Sequence, residues 1–169
     1  KFLMFADLGL GDDVFQASLT GGVFGKSVLG LDIAGSAGND QISVQAADFE
    51  VDTDAIFGLY LQGNAGDDVI DAIYSGKNQG GLGLLITGGA GKDDLGAAFD
   101  FDPASTGNAA LGTYAGRDDD NLTMMVTGAG DLKQKVFLVH GALGTDTAIT
   151  TTNVIKLSIE NTSVPVPVA

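Results

Sequence analysis

The stretch Gly63–Asp71 reads GNAGDDVID, in which two glycines and two adjacent aspartates precede an alternation of apolar and polar residues. Related stretches are GSAGNDQIS from Gly35, GGAGKDDLG from Gly88, GALGTDTAI from Gly141, LGLGDDVFQ from Leu8 and TYAGRDDDNL from Thr113. The Thr113 copy reads as carrying an extra residue after its glycine. The sixth place of each copy is an aspartate, at Asp13, Asp40, Asp68, Asp93, Asp118 and Asp146. Successive aspartates are 25–28 residues apart, a period typical of a solenoid or array.

An apolar alternation with a period of two accompanies each copy. Leu59 and Leu61 precede the Gly63 loop, and Ile70 and Ala72 follow it in the same phase. Successive side chains of a strand point to opposite faces, so each repeat predicts a strand, a turn and a second strand. The chain therefore predicts an all-β fold, a parallel β-solenoid of about six rungs within one domain at residues 1–160.

The end of the repeat region carries a further copy of the first strand. Ile155, Leu157 and Ile159 are predicted to face inward, and Lys156 to face outward. This pattern brings the first strand to seven copies. The next segment, 161–169, reads NTSVPVPVA and is predicted to be a proline-rich tail or cap, because proline lacks the N–H that a sheet requires.

The charge balance restricts the possible partners. The formal net charge is −14, with 20 Asp and 2 Glu among 169 residues, which argues against binding nucleic acid or an anionic membrane surface. No apolar run is long enough for membrane insertion. There is no cysteine and one histidine, so thiol and Ser-His chemistry lack support, and we expect no catalytic residues.

The predicted loops favour a bound cation. Equivalent loops of a parallel solenoid lie above one another, so their aspartates would form a column of like charges. Calcium takes ~6–8 oxygen ligands at ~2.3–2.6 Å and prefers carboxylates and carbonyls. The sequence therefore predicts several Ca²⁺ ions stacked between successive loops.

The copies resemble the nonapeptide of the RTX, or haemolysin-type, calcium-binding family, whose consensus is G-G-x-G-x-D-x-(large apolar)-x. GGAGKDDLG satisfies it in full, whereas the other copies miss mainly at the second glycine. The resemblance implies a right-handed β-roll that folds on binding calcium, usually in secreted bacterial proteins. It also implies these metal ligands: carboxylates of Asp13, Asp40, Asp68, Asp93, Asp118 and Asp146, neighbouring oxygens of Asp12, Asn39 and Asp67, and carbonyls of Gly35, Gly63, Gly88 and Gly141.

One feature departs from that family. Its nonapeptides usually follow one another directly, two per rung, whereas here a single copy is followed by a longer excursion. A calcium ladder would then line one edge of the solenoid only, and the rung would resemble that of a larger β-helix.

These observations lead to an expected function and one alternative. We expect a secreted, non-enzymatic structural or adhesive module of the bacterial cell surface, with a polysaccharide or surface matrix as a candidate partner. Because both ends carry strand patterns without a capping helix, we expect self-association end to end into a filament. The alternative is a calcium-dependent module of a carbohydrate-active lyase or epimerase, with Arg117 as its basic residue. The tail also resembles the start of the bacterial PEP-CTERM sorting signal, although Val166 replaces the usual glutamate.

Overall fold

The computed structural model describes residues 1–151, 153–159 and 161–163. Nearly all of the regular structure is β-strand, and the strands are short and regularly spaced. In chain order they are β1 Phe2–Asp7, β2 Val14–Leu19, β3 Gly22–Val23, β4 Val28–Ala37, β5 Gln41–Ala46, β6 Glu50–Val51, β7 Ile56–Ala65, β8 Val69–Gly76, β9 Gly81–Ala90, β10 Asp94–Phe101, β11 Asn108–Arg117, β12 Asn121–Thr127, β13 Gln134–Leu143, β14 Thr147–Thr150, β15 Ile155–Leu157 and β16 Asn161–Ser163.

Two long sheets form the body of the fold. The first sheet has seven strands in the order β1-β4-β7-β9-β11-β13-β15, and the second has seven in the order β16-β14-β12-β10-β8-β5-β2. A small third sheet pairs β3 with β6. Every pairing is parallel, and neighbours in a sheet come from successive rungs. The predicted parallel β-solenoid of about six rungs, with seven copies of its first strand, is confirmed.

The core lies between the two long sheets and consists of rows of like residues. One row of the first sheet is built from leucines at register positions Leu31, Leu59 and Leu84, all buried. Facing it, Ile42 and Ile70 form a fully buried row of the second sheet. Each rung covers the apolar residues of the next, which is how a solenoid acquires a continuous core.

The last strand of the first sheet differs from the prediction. Lys156 pairs with the inward-facing Val139, so Ile155 and Leu157 are 54% and 47% exposed. Val154 occupies a buried place instead. A one-residue slip exchanges the two faces of a strand, and the prediction that Ile155 and Leu157 face inward is therefore wrong.

The solenoid also extends beyond residue 160. Strand β16 pairs with β14 in parallel through Ser163, so the second sheet continues three residues into the segment expected to be a tail. Glu160 and the proline-containing segment 164–169 lie outside the described residues.

Candidate metal-binding edge

An aspartate lies just before six of the seven strands of the second sheet. The main-chain N–H of Asp68 donates a 2.9 Å hydrogen bond to Oδ1 of Asp93 on the next rung, and Asp93 donates in the same way to Asp120 at 2.8 Å. Five such bonds of 2.8–3.0 Å join six residues. We call this set the aspartate column: Asp13, Asp40, Asp68, Asp93, Asp120 and Asp146.

Most of the column lies in the interior, and one oxygen in each of five of its carboxylates accepts no hydrogen bond from the described residues. Asp40, Asp68 and Asp93 are each no more than 1% exposed. Their Oδ2 atoms, like those of Asp13 and Asp120, are buried and accept no hydrogen bond from the described residues. A buried charged oxygen without a partner is strongly unfavourable, so these positions call for a proton or a cation.

The electrostatics of the column point the same way. Burial raises the pKa of Asp93 to about 7, although the hydrogen bond from the Asp68 N–H lowers it and the neighbouring carboxylates raise it. Burial likewise raises the pKa of Asp120 to about 6 and also raises the pKa of Asp68. Burial disfavours the ionised form of a carboxyl group, so the column resists being fully ionised near neutral pH unless a positive charge lies beside it.

Asp118 is not a member of this column. Strand pairing places Gly116 opposite Gly89 and Arg117 opposite Ala90, so Asp118 falls at the place of Gly91 and Asp120 at the place of Asp93. Asp118 has a φ of 76° and is exposed, in the left-handed conformation that glycine adopts in the other loops. The expectation that Asp118 joins the stacked carboxylates is thus corrected to Asp120, and this copy has no extra residue.

The spacing between an aspartate and the next buried apolar residue identifies Asp120 in the sequence. Asp68 lies two residues before the buried Ile70, and Asp93 two residues before the buried Leu95. Asp120 stands at the same distance from the buried Leu122. Counting back from the second strand, rather than forward from the loop glycine, identifies the column residue.

The first glycine of each loop lies beside the column. In four pairs of neighbouring strands of the first sheet, the residues at one shared position are not paired with each other. That row consists of Gly35, Gly63, Gly88, Ala115 and Gly141. Glycine here creates space, because a Cβ on Gly35, Gly63, Gly88 or Gly141 would overlap Oδ2 of the aspartate in its own loop.

Each of these spaces also borders a carbonyl oxygen of the next rung. The point that a Cβ of Gly63 would occupy is beside Oδ2 of Asp68 and 2.8 Å from the carbonyl oxygen of Gly88. At Gly35 the corresponding carbonyl is that of Gly63, at 2.9 Å. We call each such pair, a carboxylate oxygen and a carbonyl oxygen of the next rung beside the same glycine, an oxygen cradle.

The other predicted ligands form a separate ladder at the surface. Oδ1 of Asp12 accepts the N–H of Asn39, and Oδ1 of Asn39 accepts the N–H of Asp67, both at 2.8 Å. Oδ1 of Asp67 accepts the N–H of Lys92 at 2.8 Å. Asp12, Asn39 and Asp67 are exposed, so the structure does not bring them together with the cradles. Their side chains instead satisfy loop amides from rung to rung.

The donor set fits a hard cation that takes oxygen from main chain and side chain together. In the described part of the chain, no three His, Cys, Asp or Glu side chains cluster closely enough to hold a metal by themselves. Each rung supplies one buried carboxylate, and the first-glycine row supplies carbonyls. Mixed carboxylate and carbonyl ligation is what calcium accepts and thiolate-preferring metals do not.

Two further findings bear on the site. Within the described ranges, no helix has the length and apolar character required to cross a membrane. Comparisons of the chain with protein-family models, with curated proteins and with solved structures find no match.

Proposed function

We propose that this protein is a calcium-stabilised structural β-solenoid. The observation that carries the proposal is the row of buried Oδ2 atoms of Asp13, Asp40, Asp68, Asp93 and Asp120, which have no hydrogen-bond partner among the described residues. Calcium in the oxygen cradles would neutralise these oxygens and complete its shell with carbonyls and water. The ligand residues are then Asp13, Asp40, Asp68, Asp93, Asp120 and Asp146, with carbonyl oxygens such as those of Gly63 and Gly88.

The stacking of the rungs supports a structural use of the ion. In each oxygen cradle the carboxylate and the carbonyl belong to successive rungs, as with Asp68 and Gly88. An ion held by both would join those rungs, so its binding free energy would add to the stability of the stack. The oxygen cradles at Gly35, Gly63, Gly88 and Gly141 are four equivalent positions, whereas Ala115 stands at that place in the fifth loop.

The proposal also implies where the protein acts and what it associates with. A chain with a net charge of −14 and no cysteine suits a medium where calcium is plentiful and where stability comes from metal rather than from disulfides. Together with the RTX-like repeat, this favours a secreted module of the bacterial cell surface, with a structural or adhesive role in a matrix. End-to-end association remains a prediction. This prediction is supported by the first rung, where the apolar side chains of Met4 and Phe15 are only partly buried.

Removal of calcium tests the proposal. Far-ultraviolet circular dichroism and thermal melting should show loss of β-structure, or a large fall in melting temperature, when EGTA replaces calcium. Magnesium serves as the control, because it loses its water shell reluctantly and demands near-ideal octahedral geometry, so it should restore less β-structure than calcium. An unchanged spectrum and melting temperature in EGTA would contradict the proposal.

A further inference from the structure

The outward side of the first sheet carries little charge. Roughly two dozen strand residues point outward from β1, β4, β7, β9, β11, β13 and β15. Among those that the structure describes, only Asp7 and Asp32 are charged. Both carboxylates accept hydrogen bonds within the chain, from Ser36 and Gln62 respectively. In a protein with 22 acidic residues, so neutral a face resembles the core of an interface, where charge is depleted.

A groove runs along this face, parallel to the solenoid axis. Its floor is the register row Gly30, Gly58 and Gly83, and it encloses about 410 Å³ with almost wholly apolar walls. A Cβ on Gly58 or Gly83 would meet no atom within 4 Å, and neither residue has a positive φ. Glycine weakens a strand interior, and the fold does not require it at these two positions. The lack of a side chain at Gly58 and Gly83 leaves room for another surface to approach closely.

A ridge lies directly beside the groove. Tyr60 and Leu85 form it in the same two rungs as Gly58 and Gly83, one outward position further along each strand. Phe5 begins the same row at the first rung and is 72% exposed. Ridge and groove are thus adjacent, parallel and about one residue row wide, which is ~7 Å along a strand.

We propose that this face binds the same face of a second copy of the chain, with the ridge of each copy in the groove of the other. A twofold axis parallel to the solenoid axis, lying between the two rows, places ridge over groove on both sides at once. A twofold axis across the rows would place ridge on ridge. The self-complementary arrangement therefore has parallel solenoids, with Tyr60 over the partner's Gly58 and Leu85 over the partner's Gly83, in an isologous interface.

Size and charge both suit a second copy. Each outward position covers roughly 4.8 Å by 6.6 Å of sheet, so two dozen positions offer on the order of 800 Å² per copy, the size of a standard interface. The twofold axis also places the two aspartate columns on opposite sides of the dimer. Two chains of charge −14 can then pair with their acidic edges far apart. A sugar would need several polar partners, and only two polar side chains line the groove, Tyr60 and Asp32, of which Asp32 is already bonded to Gln62.

Substitutions that fill or charge the groove test the pairing. Sedimentation velocity with calcium present should show a concentration-dependent dimer of the unaltered protein. The double change Gly58→Val and Gly83→Val fills the groove at positions with open space, and should weaken the dimer more than about tenfold without lowering the melting temperature of the dilute monomer. Ala110→Glu, in the groove row, should do the same, whereas Ala98→Glu, on the exposed face of the second sheet, should not.

Cross-linking tests the orientation, which the absence of native cysteine makes straightforward. A mixture of Gly83→Cys and Leu85→Cys proteins should form an inter-chain disulfide faster than either variant alone. A monomer at all concentrations would overturn the proposal, as would a dimer that survives Ala110→Glu or binding of a glycan or peptide to the groove of a monomer. The pairing does not depend on which cation the column binds. If the protein folds without calcium, the same experiments in EGTA decide it.

Discussion

The main-chain N–H of Asp68 donates a 2.9 Å hydrogen bond to Oδ1 of Asp93, one rung further along the solenoid, while Oδ2 of Asp93 is buried without a partner. The first oxygen holds the rungs in register and needs no ion. The second oxygen is unfavourable as an anion unless something positive is beside it. Because one oxygen of the carboxylate is hydrogen-bonded and the other is not, the stability of the fold depends on whether a proton or a cation lies beside the second oxygen.

Asp93→Asn should therefore have opposite effects with and without calcium. Asparagine keeps an oxygen that can accept the Asp68 N–H but removes the buried charge. Without calcium the variant should melt at a higher temperature than the unaltered protein. With calcium it should melt lower, because a ligand is lost. Asp94→Asn, at the exposed neighbouring position, is the control and should show neither effect. A variant that melts lower in both buffers would indicate that the charge itself stabilises the fold.

The calcium-free protein should lose stability as the pH rises. Burial raises the pKa of Asp93 to about 7 and that of Asp120 to about 6, above the 3.8 of an unperturbed aspartate. At a pH between the pKa of an unperturbed aspartate and the raised pKa in the folded protein, the folded state binds more protons than the unfolded chain. The free energy of unfolding therefore falls as the pH rises, and it levels off above the raised pKa. Thermal melts of metal-free protein from about pH 5 to about pH 8 measure this.

Calcium should remove or reverse that pH dependence, because the cation and the protons compete for the same oxygens. Combining Asp93→Asn with Asp120→Asn should flatten the metal-free profile. Metal-free protein that becomes more stable between those two pH values would show that the column is ionised and satisfied without a cation.

Two glycines of β7 should respond differently to alanine. A Cβ on Gly63 would overlap Oδ2 of Asp68, whereas a Cβ on Gly58 would meet open space. Gly63→Ala should cost about 1–3 kcal/mol of stability through overpacking and lower calcium affinity. Gly58→Ala should stabilise the strand by roughly 0.5–1 kcal/mol. Urea unfolding in calcium buffer compares the two, and equal costs would show that the cradle is not sterically filled.

The two candidate aspartates of the fifth loop can be separated by matched substitutions. Asp120→Asn should lower the calcium-dependent rise in melting temperature, because Asp120 belongs to the column. Asp118→Asn should leave that rise nearly unchanged, since Asp118 is exposed and has a positive φ that asparagine tolerates. The reverse order of effects would assign the ligand to Asp118.

The solenoid was predictable because its signal repeats. The alternation around Gly63 recurs in every copy, and a parallel stack is what buries all of those rows at once. The column member of the fifth copy was mispredicted because its loop lacks the usual glycines: Ala115 and Asp118 stand where Gly88 and Gly91 stand one rung earlier. Glycine marks a loop in sequence, but strand pairing sets which aspartate faces the column.

Other features depended on information that alternation alone does not carry. Ile155 and Leu157 were predicted to form the inward face of the last strand. Apolar residues occupy both faces near that end, so the register decides which of them is buried. The groove at Gly58 and Gly83 was not predicted either. In sequence, glycines of an outward row look like any others. Their role becomes visible only when the rows are aligned across rungs.

The most direct test of the account is a calorimetric titration of metal-free protein with calcium, with a parallel titration of Asp68→Asn. We expect several ions per chain, up to the four oxygen cradles at Gly35, Gly63, Gly88 and Gly141. We also expect a gain of β-structure as they bind and a loss of affinity in the variant. If the protein binds no calcium and keeps its β-structure throughout, the aspartate column is a hydrogen-bonded and proton-sharing ladder, and the proposed function is wrong.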